Sequence, residues 1–236
     1  MLARSVERIL ETVGDEAVVL DVGGWAKPFS RADWVLDYMP YETRGLLGRD
    51  GTAEERFTKE TWVRRDVCDR EPYPFDDDAL DFVVCSQTLE DLRDPVWVCA
   101  EMLRVGKAGY VEVPSRLLEQ SYGVEGPWAG YAHHRWLVDL DRNGLSFAFK
   151  SHVLHRRRSC HFPYGFHHQL RPEERALTLW WEGGFDFSER LFYDPAELDR
   201  YLEEFVEQGK RGRRIPSRWQ GALRLALERT GFRRWR

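Results

Sequence analysis

The chain has 236 residues, of which 42% are hydrophobic and 32% charged, and its formal net charge at pH 7 is −5. A chain of this length and apolar content can bury the core of one large domain. The negative charge predicts no general affinity for nucleic acid, whose phosphates bind positively charged surfaces. No apolar stretch reaches the roughly 20 residues that a membrane span needs, and no signal peptide is evident. Four cysteines without a CxxC pair predict reduced thiols and a cytoplasmic protein.

The first elements along the chain are a helix and two buried strands. Residues 6–13 have an amphipathic helical pattern, and residues 17–22 form an apolar run that ends in the turn Asp21–Gly24. The next strand, residues 34–37, follows after only about ten residues, whereas a parallel crossover needs a dozen or more. The first crossover helix is therefore predicted to be very short or absent.

Strands and a helix continue to alternate up to residue 114. Residues 62–66, 79–85 and 110–113 are predicted strands, and residues 94–105 are a predicted helix with Asp94 as N-cap and proline at its first position. This alternation predicts an α/β fold, a Rossmann-like, mostly parallel sheet with helices on both faces.

The second half predicts antiparallel hairpins followed by helices. Residues 136–150 alternate around Asn143-Gly144, which is a strong hairpin signal, and residues 177–193 form a second hairpin that turns at Gly183-Gly184. Helices are predicted at 194–208 and 216–230. We expect one domain over residues 1–236, divided into a cofactor-binding core (1–115), a hairpin-rich substrate cap (116–195) and C-terminal helices (196–236).

The turn Asp21–Gly24 and the acid Asp37 are the first candidates for ligand binding. Glycine lets a ligand approach the backbone closely because it has no Cβ. An acid at the end of the second strand can accept both hydroxyls of a ribose. Each feature has an ordinary structural alternative, a tight strand exit for the turn and an acidic loop residue for Asp37.

The order and spacing of the motifs resemble class I S-adenosylmethionine (SAM)-dependent methyltransferases of the small-molecule type, with a shortened glycine loop and first helix. The resemblance covers residues 17–115. Four segments carry it: Val18–Gly24, Asp66–Val84, Ser86–Pro95 and Glu101–Pro114.

The resemblance implies SAM as cofactor and roles for eight residues at the strand ends. The methionine part would contact Asp21, Gly23 and Gly24, the ribose Asp37, the adenine Asp66 and Val67, and the reacting methyl group Ser86 and Gln87. The expectation requires the carboxylates at 21, 37 and 66 to meet at neighbouring strand ends, in a cleft that Trp25 and Phe29 leave open.

The chain departs from the family pattern at two places. The usual Gly-x-Gly-x-Gly loop is replaced by Gly23–Pro28, without the long helix that follows it in the family. Where the family often has Glu-His after the fourth strand, this chain has Glu90-Asp91.

Candidate bases for methyl transfer are His133 and His134, with Asp91 and Glu112 as alternatives, because histidine titrates near neutrality. All seven histidines lie between His133 and His168. They are interpreted as a substrate cap, as a metal site with Cys160, or as a polar aromatic surface. No metal is predicted, because no HxxxH or HExxH spacing on a helix supports one.

The predicted function is methyl transfer from SAM to an oxygen or nitrogen of a small-molecule acceptor. The alternative is a degenerate methyltransferase fold that acts as a binding or scaffold protein. An NAD(P) oxidoreductase is disfavoured because the Gly-x-Gly-x-x-Gly loop that opens a helix is missing. We expect no nucleic-acid or membrane partner. An exposed hairpin edge could pair two subunits in a homodimer, which leaves the oligomeric state open.

Overall fold

The computed structural model describes residues 1–51, 54–141, 144–213 and 215–216. The chain divides into two compact units. The first unit comprises Met1–Val113, Val138–Phe147 and Leu177–Glu189, and the second comprises Pro114–Leu137, Ala148–Ala176 and Arg190–Arg236. The expected division into core, cap and C-terminal helices stays a prediction.

Strands and helices alternate through the first half of the described chain, as the sequence pattern predicts. The strands are β1 (Val19–Val22), β2 (Trp34–Asp37), β3 (Trp62–Arg64), β4 (Phe82–Ser86), β5 (Ala108–Pro114), β6 (Trp136–Asp141), β7 (Gly144–Phe149), β8 (Ala176–Glu182) and β9 (Asp186–Arg190). The helices are α1 (Ala3–Thr12), α2 (Pro95–Val105), α3 (Arg116–Glu119), α4 (Val153–Arg156), α5 (Pro172–Arg175) and α6 (Pro195–Lys210). None of these described helices is both long enough and apolar enough to cross a membrane.

The main sheet has six strands in the order β3-β2-β1-β4-β5-β8. The strand pairs β1·β2, β1·β4, β2·β3 and β4·β5 are all parallel. In this order β2 and β3 lie on one side of β1, and β4 and β5 lie on the other side. The strand order therefore reverses at β1, as in Rossmann-like folds. The predicted fold class, a Rossmann-like and mostly parallel α/β sheet, is confirmed.

Both faces of the central strands are buried. All four residues of β1 are buried, as expected for a parallel strand that is covered on each side. On one face, Ile9 of α1 packs with Val19, Val35 and Val84 in a hydrophobic cluster. Helix α2 buries its own apolar residues and begins where predicted, because the Asp94 side chain accepts a hydrogen bond of 3.0 Å from the Trp97 N–H.

No helix lies between β1 and β2, all of whose linking residues are described, which confirms the predicted loss of the first crossover helix. Residues 45–50, which we call the bracing segment, run beside residues 25–30 instead. Four backbone hydrogen bonds join them: Gly45 N–H to Trp25 O at 2.8 Å, Leu47 N–H to Ala26 O at 2.8 Å, Asp50 N–H to Pro28 O at 3.0 Å and Ser30 N–H to Asp50 O at 2.8 Å. The bracing segment thus satisfies backbone groups that a helix would have satisfied internally.

The two predicted hairpins have different outcomes. β6 and β7 are neighbours in a three-stranded sheet of order β6-β7-β9, as expected for the first hairpin, while residues 142 and 143 of its turn lie outside the described residues. The second predicted hairpin, over 177–193, is wrong, because β8 joins the six-stranded sheet beside β5 and β9 joins the other sheet.

Two tryptophans explain why β8 pairs with the large sheet. The Trp180 ring packs on Tyr110 with ring centroids 4.6 Å apart. A Cβ added to Gly109 would lie 2.6 Å from the Trp181 ring, so glycine makes room for this indole. Burying two indoles beside β5 outweighs a local turn at Gly183-Gly184, because large aromatic side chains dominate core energetics.

The second unit is built around short helices and α6. α6 begins as predicted, with the Asp194 carboxylate accepting a 2.9 Å hydrogen bond from Ala196 N–H. The Phe162 and Phe166 rings stack with centroids 4.1 Å apart in a cluster with Val206 of α6. The predicted helix over 216–230 lies outside the described residues except for its first position.

Candidate functional site

A cleft lies in the first unit at the carboxyl ends of β1 and β4. The carboxyl edge is where open parallel sheets bind ligands. The cleft is lined by Met1, Asp21, Gly23, Gly24, Lys27, Phe29, Leu47, Asp50, Val84, Ser86 and Gln87. Five of the eight predicted cofactor-binding residues therefore share one cleft.

Asp21 projects from β1 into the base of this cleft and is almost fully buried. Its Oδ2 accepts a 2.8 Å hydrogen bond from the Phe29 N–H. Burial raises the pKa of the Asp21 carboxyl to about 7, against the opposing effect of the Phe29 hydrogen bond, and the negative charges of Asp37 and Asp50 raise it further. The carboxyl is therefore poised to gain or lose a proton near neutral pH.

Gly23 and Gly24 form the tight turn after β1, and neither has room for a Cβ. Gly23 has a φ of +78°, and a Cβ there would lie 2.3 Å from the Thr88 side chain. A Cβ on Gly24 would lie 2.2 Å from Oδ2 of Asp21. The glycines are needed for the backbone to pass between two side chains, and they also leave the cleft wall open.

Ser86 and Gln87 form the wall at the end of β4. Ser86 Oγ is buried and has no hydrogen-bond partner within the described part of the chain. Gln87 has a φ of +55°, which is uncommon for a residue other than glycine and is often found at functional sites. Its N–H donates to the Glu112 carbonyl at 2.7 Å and its Nε2 donates to Glu112 Oε1 at 3.2 Å.

Lys27 and Asp50 also line the cleft and form a charged pair, with Nζ of Lys27 2.5 Å from Oδ1 of Asp50. The Asp50 side chain is 7% exposed and the Lys27 side chain is 40% exposed. Oδ2 of Asp50 also accepts a 2.7 Å hydrogen bond from the Met1 ammonium group. Phe29 also lines the cleft, and the indole N–H of Trp25 donates to Thr43 at 3.0 Å.

Asp37 lies at the end of β2, beside β1, as predicted, but its carboxylate is engaged by the protein. One oxygen accepts the Trp25 N–H at 3.0 Å and the other accepts the Met39 N–H at 2.8 Å. Burial raises the pKa of Asp37 and these backbone donors partly oppose the rise. Asp37 is not among the residues that line the cleft.

Asp66 and Val67 follow β3 at the same edge of the sheet and also lie outside the cleft lining. Burial acts to raise the pKa of Asp66, but the ion pair with Arg93 and the Cys68 N–H outweigh it, so the pKa is lowered. The Val67 side chain is buried, and its carbonyl accepts a 3.1 Å hydrogen bond from the Tyr73 hydroxyl.

Two of the four predicted catalytic residues lie in the first unit. Glu112 is buried on β5, where its Oε2 accepts hydrogen bonds from the Tyr110 hydroxyl at 2.5 Å and the Leu2 N–H at 2.8 Å. Through Gln87, Glu112 is connected to the cleft wall. The N–H of Asp91 donates to the Thr88 carbonyl at 3.0 Å in the turn after β4.

His133 and His134 lie in the second unit. The buried ring of His134 has its Nδ1 2.9 Å from Oε1 of Glu119, while Oε2 of Glu119 accepts a 2.6 Å hydrogen bond from the Lys150 ammonium. His133 is more exposed, and its Nδ1 lies 3.5 Å from Oε2 of Glu125. His134 therefore belongs to a buried charged network, which is a different environment from that of His133.

Sequence reasoning did not identify Lys27, Leu47 or Asp50, although all three line the cleft. Lys27 lies within the loop that departs from the family's glycine pattern, and this departure was the available signal. Leu47 and Asp50 belong to a stretch without a recognisable motif, and their position depends on backbone pairing with a distant loop.

Comparison with known proteins gives one family match. Residues 4–116 match the family model described as "Methionine biosynthesis protein MetW", which covers slightly less than half of the chain. No curated protein is significantly similar to the chain in sequence. The matched region contains β1 to β5, and the resemblance to class I SAM-dependent methyltransferases that the motifs predicted is confirmed.

The chain is also similar to solved methyltransferase structures. A putative methyltransferase in complex with the Trm112 activator from Haloferax volcanii is 20% identical, with 48% of this chain and 50% of that chain covered and a TM-score of 0.35. A SAM-dependent methyltransferase from Mesorhizobium loti is 15% identical, with 64% of each chain covered and a TM-score of 0.36. A SAM-dependent methyltransferase from Thermotoga maritima, described as a possible histamine N-methyltransferase, is 18% identical, with 49% and 53% covered and a TM-score of 0.33. The chain spans about half the length of the first of these structures.

Proposed function

We propose that this chain binds SAM in the cleft at the ends of β1 and β4 and transfers its methyl group to a small-molecule acceptor. The observation that supports the proposal most directly is the shared cleft of Asp21, Gly23, Gly24, Ser86 and Gln87. The motif resemblance assigns all five of these residues to the cofactor, and parallel sheets bind ligands at this edge.

The donor set of the cleft fits the amino-acid half of SAM. The Ser86 hydroxyl is a buried polar group that lacks a partner among the described residues, and such groups are costly unless a ligand or water satisfies them. Asp50 supplies negative charge for an ammonium group, the Asp21 carboxyl supplies an acceptor oxygen, and Lys27 supplies positive charge for a carboxylate. The residues expected for the ribose and the adenine, Asp37 and Asp66, are held by protein groups outside the lining.

When bound, SAM supplies an activated methyl group, so the protein has to align the acceptor and exclude water. The acceptor atom forms its bond to the methyl carbon as the carbon–sulfur bond breaks, and the bond electrons stay on sulfur. The proton of a hydroxyl or amine acceptor passes to a base. Glu112 and Asp91 remain the candidate bases from the first unit, and His133 and His134 those from the second.

Calorimetric titration with SAM tests the proposal, with Ser86→Ala and Ser30→Ala as a matched pair. Both hydroxyls are buried without a partner in the described part of the chain, but only Ser86 lines the cleft. A hydrogen bond worth about 0.5–1.5 kcal/mol predicts that Ser86→Ala weakens SAM binding roughly threefold to tenfold. Ser30→Ala should leave the affinity unchanged. Absence of saturable SAM binding to the wild-type chain would refute the proposal.

A second candidate function is a methyltransferase fold that binds a ligand without turnover. The bonding of both Asp37 oxygens to backbone N–H groups favours it, because ribose hydroxyls would have to share these acceptors. Formation of S-adenosylhomocysteine from SAM in the presence of candidate acceptors separates the two. Saturable SAM binding without any product across hydroxyl and amine acceptors would favour the non-catalytic function.

We also propose that the protein is cytoplasmic and that a homodimer forms through an exposed strand. The buried, unbridged state of Cys68, Cys85, Cys99 and Cys160 supports a reducing compartment. Strand β9 is at the edge of its sheet, and edge strands present unpaired backbone groups for pairing with another chain. Size-exclusion chromatography with light scattering measures the oligomeric state.

A further inference from the structure

The loop after β1 is positioned by the bracing segment, which brings two of its own side chains into the cleft. Asp50 pairs with residues 28–30 through backbone hydrogen bonds and a β-bridge to Phe29. Leu47 and Asp50 of the bracing segment both line the cleft. The wall that a crossover helix would otherwise provide is therefore formed by an extended segment.

An extended wall recognises charge differently from a helix. The N-terminus of a helix presents several unpaired N–H groups and a positive dipole end, which bind anions without any charged side chain. Here the Phe29 N–H donates to Asp21, the Ser30 N–H donates to the Asp50 carbonyl, and the Asp50 N–H donates to the Pro28 carbonyl. The charges available on this wall are those of the side chains Lys27 and Asp50.

We propose that Lys27 and Asp50 recognise the α-amino-acid end of the ligand, with Lys27 binding its carboxylate and Asp50 its ammonium group. This inference rests on the proposed function and assigns specificity to two residues that no motif identified. Asp50 already pairs with the Lys27 ammonium, and each oxygen of a carboxylate can accept a further hydrogen bond, so Asp50 can also bind a ligand ammonium group.

The exposure of the two side chains is suited to this role. Asp50 is buried and fixed by backbone pairing on both sides, so little conformational entropy is lost when it binds a ligand. Lys27 is half-exposed, and its three N–H donors allow it to contact a ligand carboxylate while keeping its bond to Asp50.

The test compares SAM with decarboxylated SAM, which keeps the ammonium and sulfonium groups and lacks the carboxylate. Both ligands are titrated into the wild-type chain, Lys27→Met and Asp50→Asn. Lys107→Met is the matched control, because Lys107 forms an ion pair of 2.8 Å with Asp81 in the same unit and neither residue lines the cleft. Thermal unfolding and circular dichroism of each variant show that it is folded.

We expect Lys27→Met to weaken SAM binding about tenfold or more, as loss of a charged hydrogen bond predicts, and to leave decarboxylated SAM unaffected. Asp50→Asn should weaken both ligands, and Lys107→Met neither. Equal affinity of the wild-type chain for the two ligands would overturn the inference and leave the proposed function standing. Equal weakening of both ligands by Lys27→Met would also overturn it, because the lysine would then act on something other than the carboxylate. Failure of the wild-type chain to bind either ligand would instead refute the proposed function.

Discussion

Replacement of Asp21 by asparagine should make the protein more stable at neutral and alkaline pH. The native pKa of Asp21 is about 7, whereas the reference value is 3.8, chiefly because burial penalises the charged carboxylate. Asparagine keeps an oxygen for the 2.8 Å hydrogen bond from the Phe29 N–H and carries no charge to desolvate. The variant therefore removes the cost of the buried charge while it preserves the turn.

The magnitude and the sign follow from proton linkage. Between pH 3.8 and about 7 the native state binds the Asp21 proton and the unfolded state does not, so the wild-type chain loses stability as the pH rises through this window. A shift of roughly 3 pH units corresponds to about 4 kcal/mol once the pH is above 7. Between pH 5 and pH 8 the linkage relation gives a relative gain of about 2–3 kcal/mol for Asp21→Asn.

Urea unfolding at pH 5, 6, 7 and 8 measures this gain as the difference in unfolding free energy between the variant and the wild type. Glu16→Gln, which removes an exposed carboxylate in the segment before β1, is the control for the loss of one negative charge. A pH-independent difference for Asp21→Asn would show that the carboxyl is not held protonated in the native state.

Three further outcomes test the packing and the buried charges. Gly24→Ala should destabilise the protein by about 1–3 kcal/mol in thermal unfolding, because the added Cβ would lie 2.2 Å from Oδ2 of Asp21. Gly14→Ala is the control and should change the stability by less than about 0.5 kcal/mol, because a Cβ there would have no atom within 4 Å. Glu119→Gln should cost about 3–5 kcal/mol because it leaves the Lys150 ammonium buried without its carboxylate, and adding Lys150→Met should recover much of the loss in urea unfolding. Burial, together with the positive charge of Lys150, lowers the pKa of His155 to about 4. The unfolded state therefore binds a proton before the native state does, and the stability should fall as the pH drops from 6.5 towards 4. His155→Gln should reduce this pH dependence in unfolding curves measured at a series of pH values.

Local patterns were sufficient to predict most of the first unit. The helix that begins after Asp94 and the buried strands β1, β2 and β4 follow from N-capping and from apolar runs, which are properties of neighbouring residues. The missing first crossover helix was predicted from the short spacing between β1 and β2, because a chain of that length cannot form a full helical crossover.

The partner of β8 could not be predicted from local patterns. Gly183-Gly184 is a good turn signal, and it does separate two strands, but strand pairing depends on which surface best buries the side chains. Trp180 and Trp181 pack against Tyr110 and Gly109 of β5, which lie more than sixty residues earlier in the chain. A single sequence carries little information about such a long-range contact.

The candidate site also contains some residues that local patterns predict and others that they do not. Asp21 and Ser86 are of the first kind, because they lie at the ends of strands that the sequence predicts. Asp50 enters the cleft only because its backbone pairs with residues 28–30, and this pairing is needed only because the crossover helix is missing. The loss of one regular element thus has a chemical consequence, since backbone N–H groups that would have faced a ligand are used within the protein. The charged side chains of Lys27 and Asp50 then recognise the charged groups of a ligand. Salt screens the attraction of Lys27 for a ligand carboxylate, because the Lys27 side chain is partly exposed.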